Sequence, residues 1–187
     1  MYPFRVRERP RPKLLWVRSF HRQYNPNMAA ELLMELLRSY PESELCMVGP
    51  DKDGSMKEFR DYTDKLGISA HVRITGLLMK EDWIKLSEDY DFFINTTNVD
   101  NTPVSVIEAL SLGLTVISTN PGGIPYLLTS DEDSILVNCG DYKQMATQII
   151  RLVNDYSTCQ RLTLNGRKLA EKFDWTSVKP LWGNLLS

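Results

Sequence analysis

Histidine and cysteine, the residues that build zinc sites and disulfide frameworks, are both scarce in this chain. Only His21 and His71 supply imidazoles among 187 residues, and neither has a partner at ligand spacing, which argues against a zinc site. Cys46, Cys139 and Cys159 are odd in number, far apart and without a Cys-x-x-Cys pair. That pattern excludes a disulfide framework and makes a reducing cytoplasm the expected compartment. An excess of either charge is also missing. The formal net charge is -2, unlike the basic surplus of a nucleic-acid binder, so no nucleic-acid partner is expected. No apolar run approaches the roughly 20 residues that cross a bilayer. Met1-Tyr2-Pro3-Phe4-Arg5 has no apolar core behind its charge and is not expected to be a secretion signal.

What the chain does contain is a regular alternation. Residues 1 to 12, rich in Arg and Pro, read as an extended linker, and 13 to 187 as one domain. Short apolar runs then recur at Leu14 to Val17, Leu45 to Val48, Val72 to Thr75, Phe92 to Ile94, Leu114 to Ser118 and Ile135 to Val137. Most are continuously apolar, as in strands covered on both faces. Helical patterns lie between and after them, at 26 to 39, 55 to 66, 80 to 89, 103 to 112, 122 to 128, 142 to 154, 156 to 172 and 175 to 186. Asn25 before Pro26 reads as an N-cap, Gly67 as a left-handed C-terminal cap, and Ala30, Leu33, Leu36 and Leu37 as a buried stripe. Cys46, Trp83, Trp175 and Trp182 read as packing residues. The last helix, with Trp175, Val178, Leu181, Leu185 and Leu186, is expected to cover an edge or reach toward a partner domain. Repeated strand–helix units imply an α/β fold, a doubly wound parallel sheet of Rossmann-like type.

Ligands in such folds bind beyond the carboxyl ends of the strands, which directs attention to the loops. The segment Asn95 to Pro103 is polar and leads into a helix, with Thr102 expected as the N-cap and Pro103 in the first turn. Free N–H groups there, at the positive end of the helix dipole, suit a phosphate. Asp100 before the helix and Glu108 inside it suit sugar hydroxyls, which carboxylates bind through short charge-assisted hydrogen bonds. Outside any such context, Asp100 would be a turn residue and Glu108 a solvated one.

The stretch Asp100 to Glu108, followed by Ala109-Leu110-Ser111-Leu112-Gly113-Leu114-Thr115-Val116 and then Pro121-Gly122-Gly123, resembles the signature of group 1 retaining glycosyltransferases (family four, GT-B fold). The likeness runs from about Leu14 through the family's C-terminal, donor-binding domain. It implies that Asp100, the catalytic residue, faces the donor sugar and positions or stabilises it as the glycosidic bond breaks, that Glu108 holds the ribose hydroxyls, and that Asn101, Thr102, Val104 and Ser105 surround the diphosphate. The family usually has Glu at the position of Asp100 and glycines at those of Asn101 and Pro103, and Pro103 has no N–H to donate. Tyr126 stands where an acid is common.

Arg18 and Arg22, after the first strand, resemble the family's arginine and lysine that grip the donor diphosphate, with Arg22 an inexact match for the lysine. Two cations there would offset charge building on the leaving group; Arg22 also reads as a plain surface cation. His21 reads as a loop hydrogen-bonding residue. Gly49 and Gly76-Leu77 either line the nucleotide or only turn the chain. Gly122 and Gly123 either let backbone approach the ligand or only permit a tight turn. The resemblance implies a nucleotide-diphosphate sugar as donor, no required metal or other cofactor, and a role in polysaccharide or glycoconjugate biosynthesis. It also implies a partner, the N-terminal acceptor domain on the same chain or a separate one, and possible peripheral membrane association of the full enzyme. This chain alone is expected to be inactive. Two other readings stand beside it: a nucleotide-sugar epimerase-like domain, and a non-catalytic doubly wound interaction module. A dehydrogenase is disfavoured, because Arg18-Ser19-Phe20-His21 replaces the glycine-rich dinucleotide turn.

Overall fold

The computed structural model describes residues 2–186, with the side chains of Leu181 and of residues 183–186 left outside that description. Six strands succeed one another: β1 (Lys13–Val17), β2 (Glu44–Val48), β3 (Val72–Gly76), β4 (Phe92–Asn95), β5 (Thr115–Thr119) and β6 (Ile135–Val137). They form one parallel sheet in the order β3-β2-β1-β4-β5-β6. The chain winds outward from β1 to β3, returns to place β4 beside β1, and winds outward the other way. The doubly wound α/β fold expected from the alternation is therefore present. Its winding reverses between β1 and β4, and a crevice opens at such a reversal.

Among the described residues, eight α-helices connect and cover these strands: α1 (Pro26–Leu37), α2 (Ser55–Leu66), α3 (Lys80–Leu86), α4 (Val104–Leu112), α5 (Ile124–Leu127), α6 (Tyr142–Asn154), α7 (Tyr156–Glu171) and α8 (Trp175–Leu186). Side chains alternate across a strand, so β1 feeds two cores. Leu14 and Trp16 pack with Leu33 and Leu36 of α1 and Ile149 of α6, while Leu15 packs on the opposite face with Val106 and Leu110 of α4. Each such leucine is fully buried and contributes about 1.5–3 kcal/mol. The stripe read in the first helix buries Ala30, Leu33 and Leu36, with Leu37 packed at its edge. Cys46 and Trp83 are buried as expected. The α7 helix passes below the start of β5, where Thr115 Oγ1 meets Cys159 Sγ at 3.0 Å and Thr163 Oγ1 at 3.2 Å.

Local signals held unevenly. Gly67 ends α2 at φ 71°, its N–H directed to the carbonyls of Thr63 and Asp64. Asn25 is not the expected side-chain cap. It closes a 3-10 turn at Arg22–Tyr24 with φ 48° and makes no side-chain cap bond to α1. Pro26 disfavours αR geometry at the preceding residue, and Asn tolerates the left-handed alternative. Thr102 is not the N-cap of α4 either. Pro103, extended at φ -68° and ψ 112°, takes that position and the helix begins at Val104.

Two tryptophans depart from the packing expected of them. Trp175 and Trp182 are 65% and 53% exposed, because α8 contributes no described side chain to either core. Leu181, Leu185 and Leu186, expected to share that helix's contacts, lie outside the described side chains. Residues 2 to 12 form no helix and only approach β1 as an extended run, yet they lie against the domain. Arg7, 6% exposed, donates to the carbonyls of Ser87, Tyr90 and Leu112 at 3.0, 3.1 and 2.8 Å. Arg11 Nε pairs with Asp91 at 2.8 Å.

Candidate functional site

The crevice between β1 and β4 gathers most of the residues singled out in the sequence. Arg18 follows β1 directly and Asp100 lies on the loop after β4. Their side chains, 16% and 14% exposed, form an ion pair across the crevice. The Arg18 guanidinium lies 4.3 Å from the centre of the Tyr24 ring, a cation–π contact. Burial lowers the Arg18 pKa from its ordinary value, opposed by Tyr24; arginine nevertheless stays charged in proteins.

These residues open onto a cleft of about 350 Å³, with Ser19, Thr102, Pro103, Val104 and Ser105 along its walls. Three buried polar atoms there have no hydrogen-bond partner among the described residues: the donors Arg18 Nε and Ser105 Oγ, and Asp100 Oδ2, which meets Arg18 only as its ion-pair partner. The N–H groups of Val104 and Ser105 belong to the first turn of α4, where an intrahelical partner is lacking by geometry. Buried polar groups left without partners carry a cost of about 1–3 kcal/mol each. A ligand with acceptor oxygens would satisfy the donors.

The loop carrying Asp100 is fixed from below by a ladder of hydroxyl groups. Trp16 Nε1 donates to Thr96 Oγ1 at 3.1 Å, and that hydroxyl donates to the Tyr24 carbonyl at 2.8 Å. Thr119 Oγ1 donates to the Thr97 carbonyl at 2.6 Å, and Thr97 Oγ1 to that of Val99 at 2.9 Å. Gln23 Nε2 reaches the same Val99 carbonyl at 3.1 Å. Gly122 and Gly123 hold the loop from the other side. The Gly123 N–H donates to the Asp100 carbonyl at 2.9 Å. A Cβ at Gly122 would collide with the Asp100 carbonyl, and one at Gly123 would lie 2.6 Å from the Asn101 carbonyl. The close approach that requires these glycines is thus to the Asp100–Asn101 backbone.

Glu108 lies one turn further along α4, on the same helix face as Val104. Its carboxylate, 15% exposed, is 3.0 Å from Lys80 Nζ and accepts from the Tyr2 hydroxyl. Gly76 ends β3, and Lys80, three residues beyond Leu77, is the residue of that segment that reaches Glu108. Leu77 is 72% exposed, and the Gly49 N–H donates to the Gly76 carbonyl at 2.8 Å. Asp100 and Asn101, the start of α4 and Glu108 therefore follow one another along the chain from the cleft into the helix.

Arg22 stands apart from this arrangement. Its guanidinium, 73% exposed, pairs with Glu58 of α2 at 2.6 Å, and that carboxylate raises its pKa. His21 is a loop residue, its Nδ1 accepting from the Gln23 N–H at 3.1 Å. Sequence reasoning missed Tyr24, Thr96, Thr97, Tyr2 and Lys80. A run of threonines at the end of an otherwise apolar strand was the signal for two of them; Tyr2 and Lys80 left none. Among the described residues no three His, Cys, Asp or Glu side chains group as a metal site, and no helix is long and apolar enough to cross a membrane.

Fold and crevice together define a doubly wound α/β domain whose switch point offers a cation, a helix N-terminus and two carboxylates. Residues 4–169 match the model of the family described as glycosyl transferases group 1, and the chain belongs to that family. It is 28% identical over 151 residues to the sulfoquinovosyl transferase SQD2 of Arabidopsis thaliana, covering 79% of this chain and 28% of that protein. Its fold resembles that of Anabaena Alr3699/HepE in complex with UDP and glucose, with a TM-score of 0.85 at 18% identity over 93% of this chain and 47% of the other. It also resembles the C-terminal domain of the Francisella tularensis group 1 family protein LpcC, with a TM-score of 0.78 at 16% identity over 92% and 95% of the two chains. The chain thus has the form of the C-terminal domain of a GT-B glycosyltransferase, and it spans well under two thirds of the Arabidopsis relative. Nothing in these likenesses favours an epimerase-like domain or an interaction module.

Proposed function

We propose that this chain is the donor-binding half of a retaining glycosyltransferase that takes its sugar from a nucleoside diphosphate. The observation that carries the proposal is the convergence on one cleft of Arg18, Asp100, the unpartnered Ser105 hydroxyl and the first turn of α4. A diphosphate seated there meets the helix N-terminus and the guanidinium. It competes with Asp100 for Arg18, so its arrival frees the Asp100 carboxylate for the sugar hydroxyls. Arg18 then faces the oxygen on which charge develops as the bond between the anomeric carbon and the diphosphate breaks. The acceptor hydroxyl forms the new bond and its proton goes to the leaving diphosphate. Glu108 binds the ribose diol, and the Gly76-Leu77 loop borders the base.

The acceptor half comes from a further domain or a separate chain, and the whole enzyme works in the cytoplasm on polysaccharide or glycoconjugate synthesis, with peripheral membrane association. Metal has no assigned task, so chelation with EDTA leaves nucleotide affinity unchanged. Calorimetric titration with UDP, GDP, ADP and their sugars tests the core of the proposal. One nucleotide series binds, and Arg18→Ala weakens the diphosphates by about tenfold to a hundredfold, as expected for a lost charge-assisted hydrogen bond. It leaves the corresponding nucleoside little changed. Absence of binding by every nucleotide, or equal losses for diphosphate and nucleoside, refutes the assignment.

A further inference from the structure

The N-terminal segment crosses more than its own neighbourhood. Beyond the buried Arg7 it continues outward along α4 and α7. The Arg5 N–H approaches the Leu112 carbonyl at 3.4 Å. Arg167 of α7 donates to the Ser111 and Tyr2 carbonyls at 2.6 and 3.4 Å, and its guanidinium lies 5.4 Å from the Phe4 ring centre. A side chain at Gly113 would collide with the Arg5 carbonyl, so the end of α4 is shaped to receive this strap. At the far end of the strap, Tyr2 reaches Glu108 over a separation of 106 residues.

The contacts at Glu108 are unequal between its two oxygens. Oε1 takes both the Tyr2 hydroxyl and Lys80 Nζ. Oε2 has no hydrogen-bond partner among the described residues and is not among the buried unpartnered atoms, so it keeps contact with solvent. Lys80 Nζ also lies 4.8 Å from the centre of the Tyr2 ring, closing a triangle of three side chains from the strap, α3 and α4. An exposed Lys–Glu pair alone contributes little. A carboxylate with one oxygen held by two donors and the other open cannot turn freely, and that restriction lowers the entropy lost when a ligand is bound.

We infer that Tyr2 and Lys80 are positioning residues which lock Glu108 so that its open oxygen faces the ribose hydroxyls of the donor. The inference rests on the assignment of Glu108 to the ribose and adds the two side chains that orient it. The strap is then part of the binding site. It supports the carboxylate from behind and takes none of the ligand's place.

The test compares the preferred nucleoside diphosphate with its 2′,3′-dideoxy analogue on the wild-type chain, Tyr2→Phe, Lys80→Met, Glu108→Gln and Tyr2→Phe/Glu108→Gln. Tyr2→Phe keeps the ring and removes only the hydroxyl. It weakens the ribose-bearing ligand about threefold to tenfold, the equivalent of one net hydrogen bond, and leaves the dideoxy analogue unchanged. Lys80→Met acts in the same direction. In the Glu108→Gln background Tyr2→Phe adds little, because the two residues act through one contact. Equal losses for both ligands, additive losses in the double variant, or no effect of Tyr2→Phe overturns the inference. Tighter binding by Tyr2→Phe also overturns it, and makes Tyr2 a plug. If Glu108→Gln discriminates the two ligands while Tyr2→Phe does not, the ribose assignment stands and only the positioning role falls. If no nucleotide binds the wild-type chain, both fall together.

Discussion

Replacing Gly123 with alanine separates the glycine pair's task of holding the Asp100 loop from the backbone freedom usually credited to glycine. Gly123 has φ -83°, which alanine adopts without strain, so any cost is steric. The added methyl would lie 2.6 Å from the Asn101 carbonyl oxygen and 2.8 Å from its Cα. Carbon atoms in good contact lie about 3.5 Å apart, so the two loops must separate by about half an ångström or more. Over-packing of this kind costs about 1–3 kcal/mol. Gly140 provides the matched control. It has φ 78° with open space around the missing Cβ, so Gly140→Ala costs only left-handed strain of about 1–2 kcal/mol. Urea unfolding should show both variants destabilised to a similar extent. Titration with the nucleotide sugar should then separate them, because only Gly123→Ala moves Asp100 and Asn101. Gly140→Ala binds like the wild type, while Gly123→Ala loses affinity for the sugar-bearing ligand more than for the nucleoside diphosphate alone. If Gly123→Ala retains full stability and affinity, or if Gly140→Ala impairs binding equally, the glycine pair does not act by holding the Asp100 loop.

Two further outcomes concern stability. Arg7→Met leaves the Ser87, Tyr90 and Leu112 carbonyls without their buried donor, and should lower the unfolding free energy by about 3 kcal/mol; a loss below a few tenths in urea titration would mean that water replaces the guanidinium. Asp155 caps α7, accepting from Ser157 Oγ, Thr158 Oγ1 and the Thr158 N–H at 2.7, 2.7 and 3.1 Å. These contacts, led by the Thr158 side chain, hold its pKa at about 2, below the ordinary 3.8. A folded pKa below the unfolded one means stability that is fully present above about pH 4 and lost as pH falls through about 2. Asp155→Ala should therefore be less stable than the wild type at neutral pH, and the two melting temperatures should converge on acidification; a constant gap would refute the linkage.

The sequence by itself determined the elements and their order. Continuous apolar runs such as Phe92 to Ile94, repeated between helical patterns, read as strands covered on both faces, and Gly67 ends its helix for reasons local to a few residues. The spacing from Asp100 to Glu108 placed one carboxylate before α4 and the other a turn within it, whatever the rest of the chain did. Periodicity and backbone preference act over a few residues, so they can be read there. Tertiary structure decided which loops meet. Every strand end was open to search, and only the placing of β4 beside β1 brought Arg18 to Asp100 across 82 residues. It sent Arg22 to Glu58, because a long exposed cation takes whichever carboxylate the fold brings near. It gave Gly123 the Asn101 carbonyl as its neighbour and Glu108 the Tyr2 hydroxyl. It also left Trp175 and Trp182 exposed, since an aromatic side chain packs only where the fold supplies a facing surface. Such contacts join residues from distant parts of the chain, and no local pattern encodes them.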